Sequence, residues 1–104
     1  DSSMSAIFCC NDNVAIGTFK AVTERKLKIP EDISIIGIDD TEMSQFTTPM
    51  LTSIRIPKNE MGVVAAQTLL NRIEKRHKLP MKIELPFRLT IRDSCCRYSD
   101  RKEK

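Results

Sequence analysis

The order of apolar and polar positions along the chain predicts alternating strands and helices. A short apolar run at 6–10 (AIFCC) precedes Asn11 and Asp12, which predicts a buried strand that ends where a helix begins. An amphipathic helix is predicted over 13–26, because its apolar positions share one face at about 100° per residue. These positions are Val14, Ala15, Thr18, Phe19, Ala21 and Val22.

The next apolar run, 33–38 (ISIIGI), predicts a second strand that is covered on both faces. Its hydrophobicity is continuous rather than alternating, and β-branched residues dominate it, as is typical of a parallel strand between helix layers. Strand, helix and strand together form a βαβ unit with a right-handed crossover. The predicted fold class is therefore α/β, with parallel-sheet βαβ layers.

The second half of the chain continues this pattern. A polar stretch with a short helical turn follows at 41–49, and then comes a third strand at 51–56. Pro57 fits the first position of a long helix, whose amphipathic pattern runs over 58–76. Residues 81–96 alternate as an extended segment that Pro86 divides into two. The apolar face of the long helix comprises Val63, Ala65, Ala66, Leu69, Leu70 and Ile73.

Composition and charge restrict the class of protein. The 104 residues suffice for one globular unit, and no apolar run approaches the roughly 20 residues that cross a bilayer. The start, DSSMSAIFCC, has no basic segment before its apolar stretch, so we expect a protein that is not exported and whose thiols are reduced. The net charge is +3, and we expect the basic segment 97–104 to be a disordered tail, with a weak anion-binding tail as the alternative.

The four cysteines form two adjacent pairs, Cys9-Cys10 and Cys95-Cys96. Zinc sites usually separate paired ligands by two or more residues, so this spacing does not predict a metal site. Adjacent residues of a strand point to opposite faces, so we expect one thiol of the first pair to pack as a small apolar group and the other to face the second layer. Redox or metal chemistry is the alternative, and no cofactor is predicted.

Polar clusters follow the first two predicted strands: Asn11-Asp12 and Asp39-Asp40. Ligands of parallel sheets bind outside the carboxyl ends of the strands, so these two loops are the candidate site. Asn donates and accepts hydrogen bonds and Asp accepts them, which suits a ligand rich in hydroxyl groups. The alternative is local structure. A helix cap is the favoured interpretation of Asp12, whereas both interpretations stay open for Asn11 and Asp39.

Paired carboxylates also raise an enzyme hypothesis, as an acid/base pair or as a magnesium-holding phosphoacceptor pocket. Such sites need a nucleophile or a cation on a third loop. The only histidine, His77, follows the long helix among basic neighbours, where a surface position is expected. The chain has no GxGxxG, GxxxxGK or GxSxG motif. We therefore predict no enzyme and no catalytic residue.

Five ordered motifs resemble one family. They are ND-x-x-A-x-G at 11–17, IPEDISIIGIDD at 29–40, P-x-LTSI at 49–54, G-x-x-A-A-x-x-L-L at 62–70 and LPFRLTIRDS at 85–94. Over about residues 5–95 the chain closely resembles the effector-binding domain of the lactose/galactose repressor (LacI/GalR) family of transcription regulators.

This resemblance implies a partial type I periplasmic-binding-protein-like fold, in which two α/β subdomains clamp a small molecule. Residues 1–96 would be the carboxyl-terminal portion of the effector or sugar-binding domain. Within it, the resemblance implies part of the carboxyl-terminal subdomain at 5–50, a hinge crossover at 51–57, a helix of the amino-terminal subdomain at 58–82, and a return crossover and strand at 83–96.

The resemblance also implies an effector-binding site. Asn11 and Asp39 match positions where many members hydrogen-bond the effector, and Arg55 lies near a hinge position from which members present a polar side chain. This chain has Ile56 where many members have Gln. The predicted effector-binding residues are therefore Asn11, Asp39 and Arg55.

The implied function is effector-controlled DNA binding by a cytoplasmic homodimer of the repressor type, with a sugar or sugar phosphate as effector and no membrane partner. Operator DNA would be contacted only through a headpiece that is absent from this chain. The alternative is a solute-binding protein of a sugar transport system, which shares the fold and differs in carrying an export signal.

Overall fold

The computed structural model describes residues 3–100, which form one four-stranded sheet and two helices. In chain order the elements are β1 (Ala6–Phe8), α1 (Asp12–Glu24), β2 (Ser34–Ile38), β3 (Thr52–Arg55), α2 (Lys58–Ile73) and β4 (Arg88–Thr90). Turns of 3-10 helix lie at Glu42–Gln45 and Tyr98–Asp100. The last residues of the predicted tail, 101–104, lie outside the described residues.

The sheet has the order β1-β2-β3-β4 and is parallel except at its last strand. Ile7 pairs with Ile35 and Ile36 pairs with Thr52 in the parallel ladders, while Ile54 pairs with Leu89 in the antiparallel one. The predicted α/β class and the βαβ unit are therefore confirmed. The carboxyl ends of β1, β2 and β3 meet at one edge of the sheet, and β4 begins at that same edge.

A small apolar core joins α1 to the sheet. Its buried members are Cys9, Ala15, Phe19, Val22, Ile33, Ile35 and Leu51. The buried stripe of α1 is narrower than predicted, because Val14 is 47% exposed. Cys9 packs in this core, as the alternation predicts, but its neighbour Cys10 is exposed instead of facing a second layer.

Hydrogen bonds of Ser94 join the segment after β4 to the middle of the sheet. Its hydroxyl donates a 2.5 Å hydrogen bond to the Ile35 carbonyl and accepts one of 2.8 Å from the Thr52 amide. The Ile35 amide in turn donates to the Ser94 carbonyl at 2.9 Å. Ser94 is fully buried, so these bonds satisfy backbone groups that water cannot reach.

The contacts divide the chain into two compact units, Asp1–Arg55 with Arg88–Lys104, and Ile56–Phe87. The second unit contains α2, which has no buried residue. The predicted apolar face of α2 is exposed in this chain, from 56% at Leu70 to 66% at Ile73. Both divisions fall inside the predicted crossovers, 51–57 and 83–96, and the assignment of the units to subdomains stays a prediction.

Three predicted boundaries differ from the structure. Pro57 is the residue before α2 rather than its first residue, and α2 ends at Ile73 instead of 76. Of the predicted extended segment 81–96, only Arg88–Thr90 joins a ladder. Residues 81–87 have the alternating apolar and polar pattern of a strand, but they pair with no other strand among residues 3–100.

Neither helix in the described part of the chain is long and apolar enough to cross a membrane. Within the same residues, no group of three His, Cys, Asp or Glu side chains is placed to hold a metal ion.

Gly37 offers a test of how tightly α1 packs on β2. A Cβ at Gly37 would overlap Oδ1 of Asp12 and approach Cδ2 of Leu51 to 3.2 Å. We expect Gly37→Ala to lower the free energy of unfolding by about 1–3 kcal/mol, as overpacking does, in equilibrium urea denaturation.

The matched control is Gly17→Ala on α1, where an added Cβ meets nothing within 4 Å. This change should raise the free energy of unfolding by about 1 kcal/mol, because alanine is the better helix former. Equal effects of the two substitutions would contradict the packing described for Gly37.

Candidate functional site

The three predicted effector-binding residues lie at the carboxyl edge of the parallel strands. Asn11 follows β1 by three residues, Asp39 follows β2 directly, and Arg55 is the last residue of β3. Because β1, β2 and β3 are parallel neighbours, the sheet brings all three to the same edge. All three belong to the same compact unit.

Asn11 is the N-cap of α1. Its backbone is extended, and its side-chain Oδ1 accepts a 2.9 Å hydrogen bond from the Val14 amide. This bond satisfies one of the amides that the first turn of a helix leaves unpaired. The side-chain NH₂ of Asn11 keeps its donors for another partner, so the cap and a ligand contact are compatible.

The interpretation of Asp12 as the helix cap is wrong. Asp12 is the first residue of α1 and is fully buried. Its Oδ1 accepts a 2.6 Å hydrogen bond from Ser53 Oγ, and its Oδ2 accepts bonds from the Thr41 amide at 2.7 Å and the Thr41 hydroxyl at 3.0 Å. Since Asn11 supplies the cap, the Asp12 carboxylate is available for other partners. It links Thr41, in the loop after β2, to Ser53 in β3.

Asp39 has a half-buried carboxylate that makes no hydrogen bond or ion pair within residues 3–100. Its backbone amide donates to the Ile54 carbonyl at 2.9 Å, and its φ is 108°. The next residue, Asp40, also has a positive φ, of 49°. Two such residues in succession turn the chain sharply out of β2, and backbone strain of this kind concentrates at functional sites.

Asp40 is enclosed and ion-paired instead. Its side chain is 6% exposed and that of Arg92 is 12% exposed, and Arg92 Nη2 lies 2.6 Å from Asp40 Oδ1. Thr90 Oγ1 donates to Oδ2 of Asp40 at 3.2 Å. Burial raises the pKa of the Asp40 carboxyl, but the hydrogen bond and charge of Arg92, aided by Thr90 and Ser44, outweigh it, and the pKa lies below its usual 3.8.

Arg92 also holds the loop between β2 and β3. Its Nη1 donates to the Ser44 hydroxyl at 2.9 Å and to the Leu51 carbonyl at 2.8 Å. The pairing of Asp40 with Arg92 was not predicted. Arg92 is a polar position in the alternation of the last extended segment, and alternation does not indicate that Ser44 of the 3-10 turn Glu42–Gln45 is its partner.

Arg55 remains accessible. Its side chain is 61% exposed, and its Nε lies 3.8 Å from Asp40 Oδ2. An exposed pair at this distance adds little stability, so the guanidinium can turn to a ligand at small cost. His77 belongs to the other unit, and both of its ring nitrogens are enclosed without a hydrogen-bond partner in the described residues.

The profile of the family described as "Periplasmic binding protein-like domain" matches residues 2–95. The chain is 38% identical to the ribose operon repressor of Haemophilus influenzae over 89% of its own length, and 43% identical to the HTH-type transcriptional repressor PurR of Histophilus somni over 90%. It spans 28% of the length of each of these two relatives.

A solved structure shows the same similarity. A LacI family transcriptional regulator from Enterococcus faecium, crystallised with bound ribose, superposes on the chain with a TM-score of 0.78 and 38% sequence identity. The match covers 91% of this chain and 35% of that one.

The Asp40–Arg92 pair makes a prediction about acid stability. A carboxyl whose pKa is lowered by folding stabilises the fold above its unfolded pKa, and this contribution is lost as the pH falls through the folded pKa. We expect Asp40→Asn to lower the free energy of unfolding at pH 7 by about 3 kcal/mol, because it leaves Arg92 buried without its counter-charge. The difference from the unsubstituted protein should shrink below pH 3.8, as Asp40 itself becomes protonated.

The measurement is urea denaturation at several pH values from neutral to acid. Asp93→Asn is the control, since its side chain is exposed and has no ion pair in the described residues. A cost of Asp40→Asn that stayed constant across this range would mean that the ion pair is not the source of the stability.

Proposed function

The chain belongs to the periplasmic-binding-protein-like domain family of the LacI/GalR-type regulators, and we propose that it is part of the effector-sensing domain of a transcriptional repressor. The effector that we propose is a small polyhydroxy molecule of the sugar class. The protein acts as a cytoplasmic homodimer, and the effector controls its affinity for operator DNA.

The observation that carries this proposal is the set of polar groups at the carboxyl edge of the sheet. Asp39 offers an acceptor without a partner in the described residues, Asn11 offers amide donors, and Arg55 offers an exposed cation. A hydroxyl group both donates and accepts, so a ligand with several hydroxyls can satisfy Asn11 and Asp39 together. Parallel α/β sheets bind their ligands at this edge.

The buried groups beneath this edge support the proposal, because they hold the loops in place. Asp12 ties Thr41 to Ser53, and Ser53 Oγ accepts a 3.0 Å hydrogen bond from the Asp40 amide. The loop that carries Asp39 is thereby held to β3 before any ligand arrives. A binding loop that is already ordered loses less entropy when the ligand binds.

Two other functions are less well supported. The relatives named above are repressors rather than transport proteins, which favours the regulator over a solute-binding protein. The enzyme hypothesis required Asp39 and Asp40 to act together as a carboxylate pair. Because Asp40 is engaged by Arg92, we propose that Asp39 acts alone and binds a ligand without a catalytic step.

The mechanism that we propose is a population shift. An effector can move an equilibrium between two arrangements of the subdomains only by binding one arrangement better than the other. The same difference in affinity changes the binding of operator DNA through a headpiece, by thermodynamic linkage. Operator contact therefore needs no DNA-binding residue in this chain.

Replacing Asp39 tests the site. The effector is first identified by thermal-shift screening of neutral and anionic sugars against the complete gene product, since a cognate ligand stabilises the folded form. We expect Asp39→Ala to weaken effector binding by about tenfold or more, because a hydrogen bond to a charged group is lost. Operator affinity without effector should not change, and both affinities can be measured by calorimetry and by fluorescence anisotropy.

Asp93→Ala is the matched control, because it removes an exposed carboxylate beside Met50, which precedes β3, instead of one at the carboxyl edge. It should change neither affinity. Unaltered effector binding by Asp39→Ala would refute the proposed site, and loss of operator binding by the same variant would show that Asp39 serves the fold instead.

A further inference from the structure

Two arginines face each other across the antiparallel ladder at the candidate site. Arg55 is the last residue of β3 and Arg88 is the first residue of β4, and their Cα atoms are register partners. Directly opposed residues of an antiparallel pair have their side chains on the same face of the sheet, with Cβ atoms about 5 Å apart. Like charges in this arrangement repel each other and weaken the pairing.

The described residues supply no full counter-charge for this arginine pair. Asp40 is the carboxylate that approaches Arg55, but its shortest contact is the 2.6 Å one to Arg92. Arg88 is exposed, and its side chain makes no hydrogen bond or ion pair within residues 3–100. The two arginines are therefore register partners that share less than one carboxylate in the described residues.

The arginine pair lies on the same face of the ladder as two residues that contact the turn after β2. Two positions further from the edge, Ser53 and Thr90 are also register partners, and both bind the turn after β2. The arginine pair thus lies two residues along each strand from Ser53 and Thr90, which hold Asp40, and at the edge that carries Asp39. An anion bound there would sit beside the acceptor that we assign to ligand hydroxyls.

We propose that Arg55 and Arg88 bind an anionic group of the effector, so that the effector is a sugar phosphate or a sugar acid rather than a neutral sugar. This inference rests on the proposed function and names its ligand class. Guanidinium groups match phosphate and carboxylate oxygens with paired hydrogen bonds, and two of them can share one anion. The anion supplies the missing counter-charge, while Asp39 and Asn11 bind hydroxyls.

The test compares neutral ligands with their anionic derivatives. The complete gene product is screened by thermal shift and calorimetry with ribose and glucose, with their terminal phosphate esters, with glucuronate, and with inorganic phosphate. We expect an anionic derivative to bind more tightly than its neutral parent. Arg55→Gln and Arg88→Gln should each weaken that binding by about tenfold, and Arg88→Gln should leave the affinity for the neutral parent unchanged.

A second readout separates this role from a structural one. Removing one of two like charges relieves their repulsion, so Arg88→Gln should raise the melting temperature of the ligand-free protein while it weakens anion binding. Arg97→Gln is the matched control, since Arg97 is exposed and lies outside the ladder. It should change neither quantity.

The outcomes that contradict the inference are distinct. Tight binding of a neutral sugar that is insensitive to Arg88→Gln would refute the anion site and leave the proposed regulator intact. Inorganic phosphate that binds as tightly as the esters would show that the arginines do not select a polyhydroxy ligand. If Arg88→Gln weakened operator binding instead, the pair would serve DNA phosphates. Absence of binding by every sugar and derivative would overturn the proposed function itself.

Discussion

The enclosed ion pair between Asp40 and Arg92 is the interaction on which the carboxyl edge of the sheet depends. Removing two charges from water costs several kcal/mol for each ion, and the fold offsets this cost by giving both groups further hydrogen bonds. Asp40 accepts from Thr90, and Arg92 donates to Ser44 and to the Leu51 carbonyl. One buried charge pair thus joins β4, the turn after β2 and the loop before β3.

This pair matters because the apolar core is small. Strands of three to five residues and a single packed helix bury seven apolar side chains in the described part of the chain. Polar groups complete the packing: Asp12 and Ser94 are fully buried and bind backbone or hydroxyl groups of strands and of the loop after β2. Such networks are directional, so they determine the loop geometry more sharply than apolar contacts do.

The different roles of Asp12, Asp39 and Asp40 follow from that loop geometry. Asp12 and Asp40 are enclosed and fully engaged, and they hold the turn after β2 in place. Asp39 lies between them in sequence and keeps its carboxylate free at the edge of the sheet. Successive positive φ values direct neighbouring side chains to different surroundings, so adjacent aspartates have different tasks. The proposed site therefore combines loops that buried hydrogen bonds hold in place with a few accessible side chains. Among these are Arg55 at the end of β3 and Arg88 at the start of β4.

The sequence by itself determined the elements and their class, because hydrophobic periodicity depends on local geometry. The continuous apolar run around Ile35 predicted a parallel strand, and parallel strands necessarily bring Asn11 and Asp39 to one edge. Only the tertiary structure decided which polar residues pair. Asn11 rather than Asp12 caps α1, and Arg92 is enclosed with Asp40, a pairing that the alternation of the last segment does not indicate. Hydrogen bonds and ion pairs between residues about 50 positions apart depend on how loops cover the sheet, and periodicity carries no information about that.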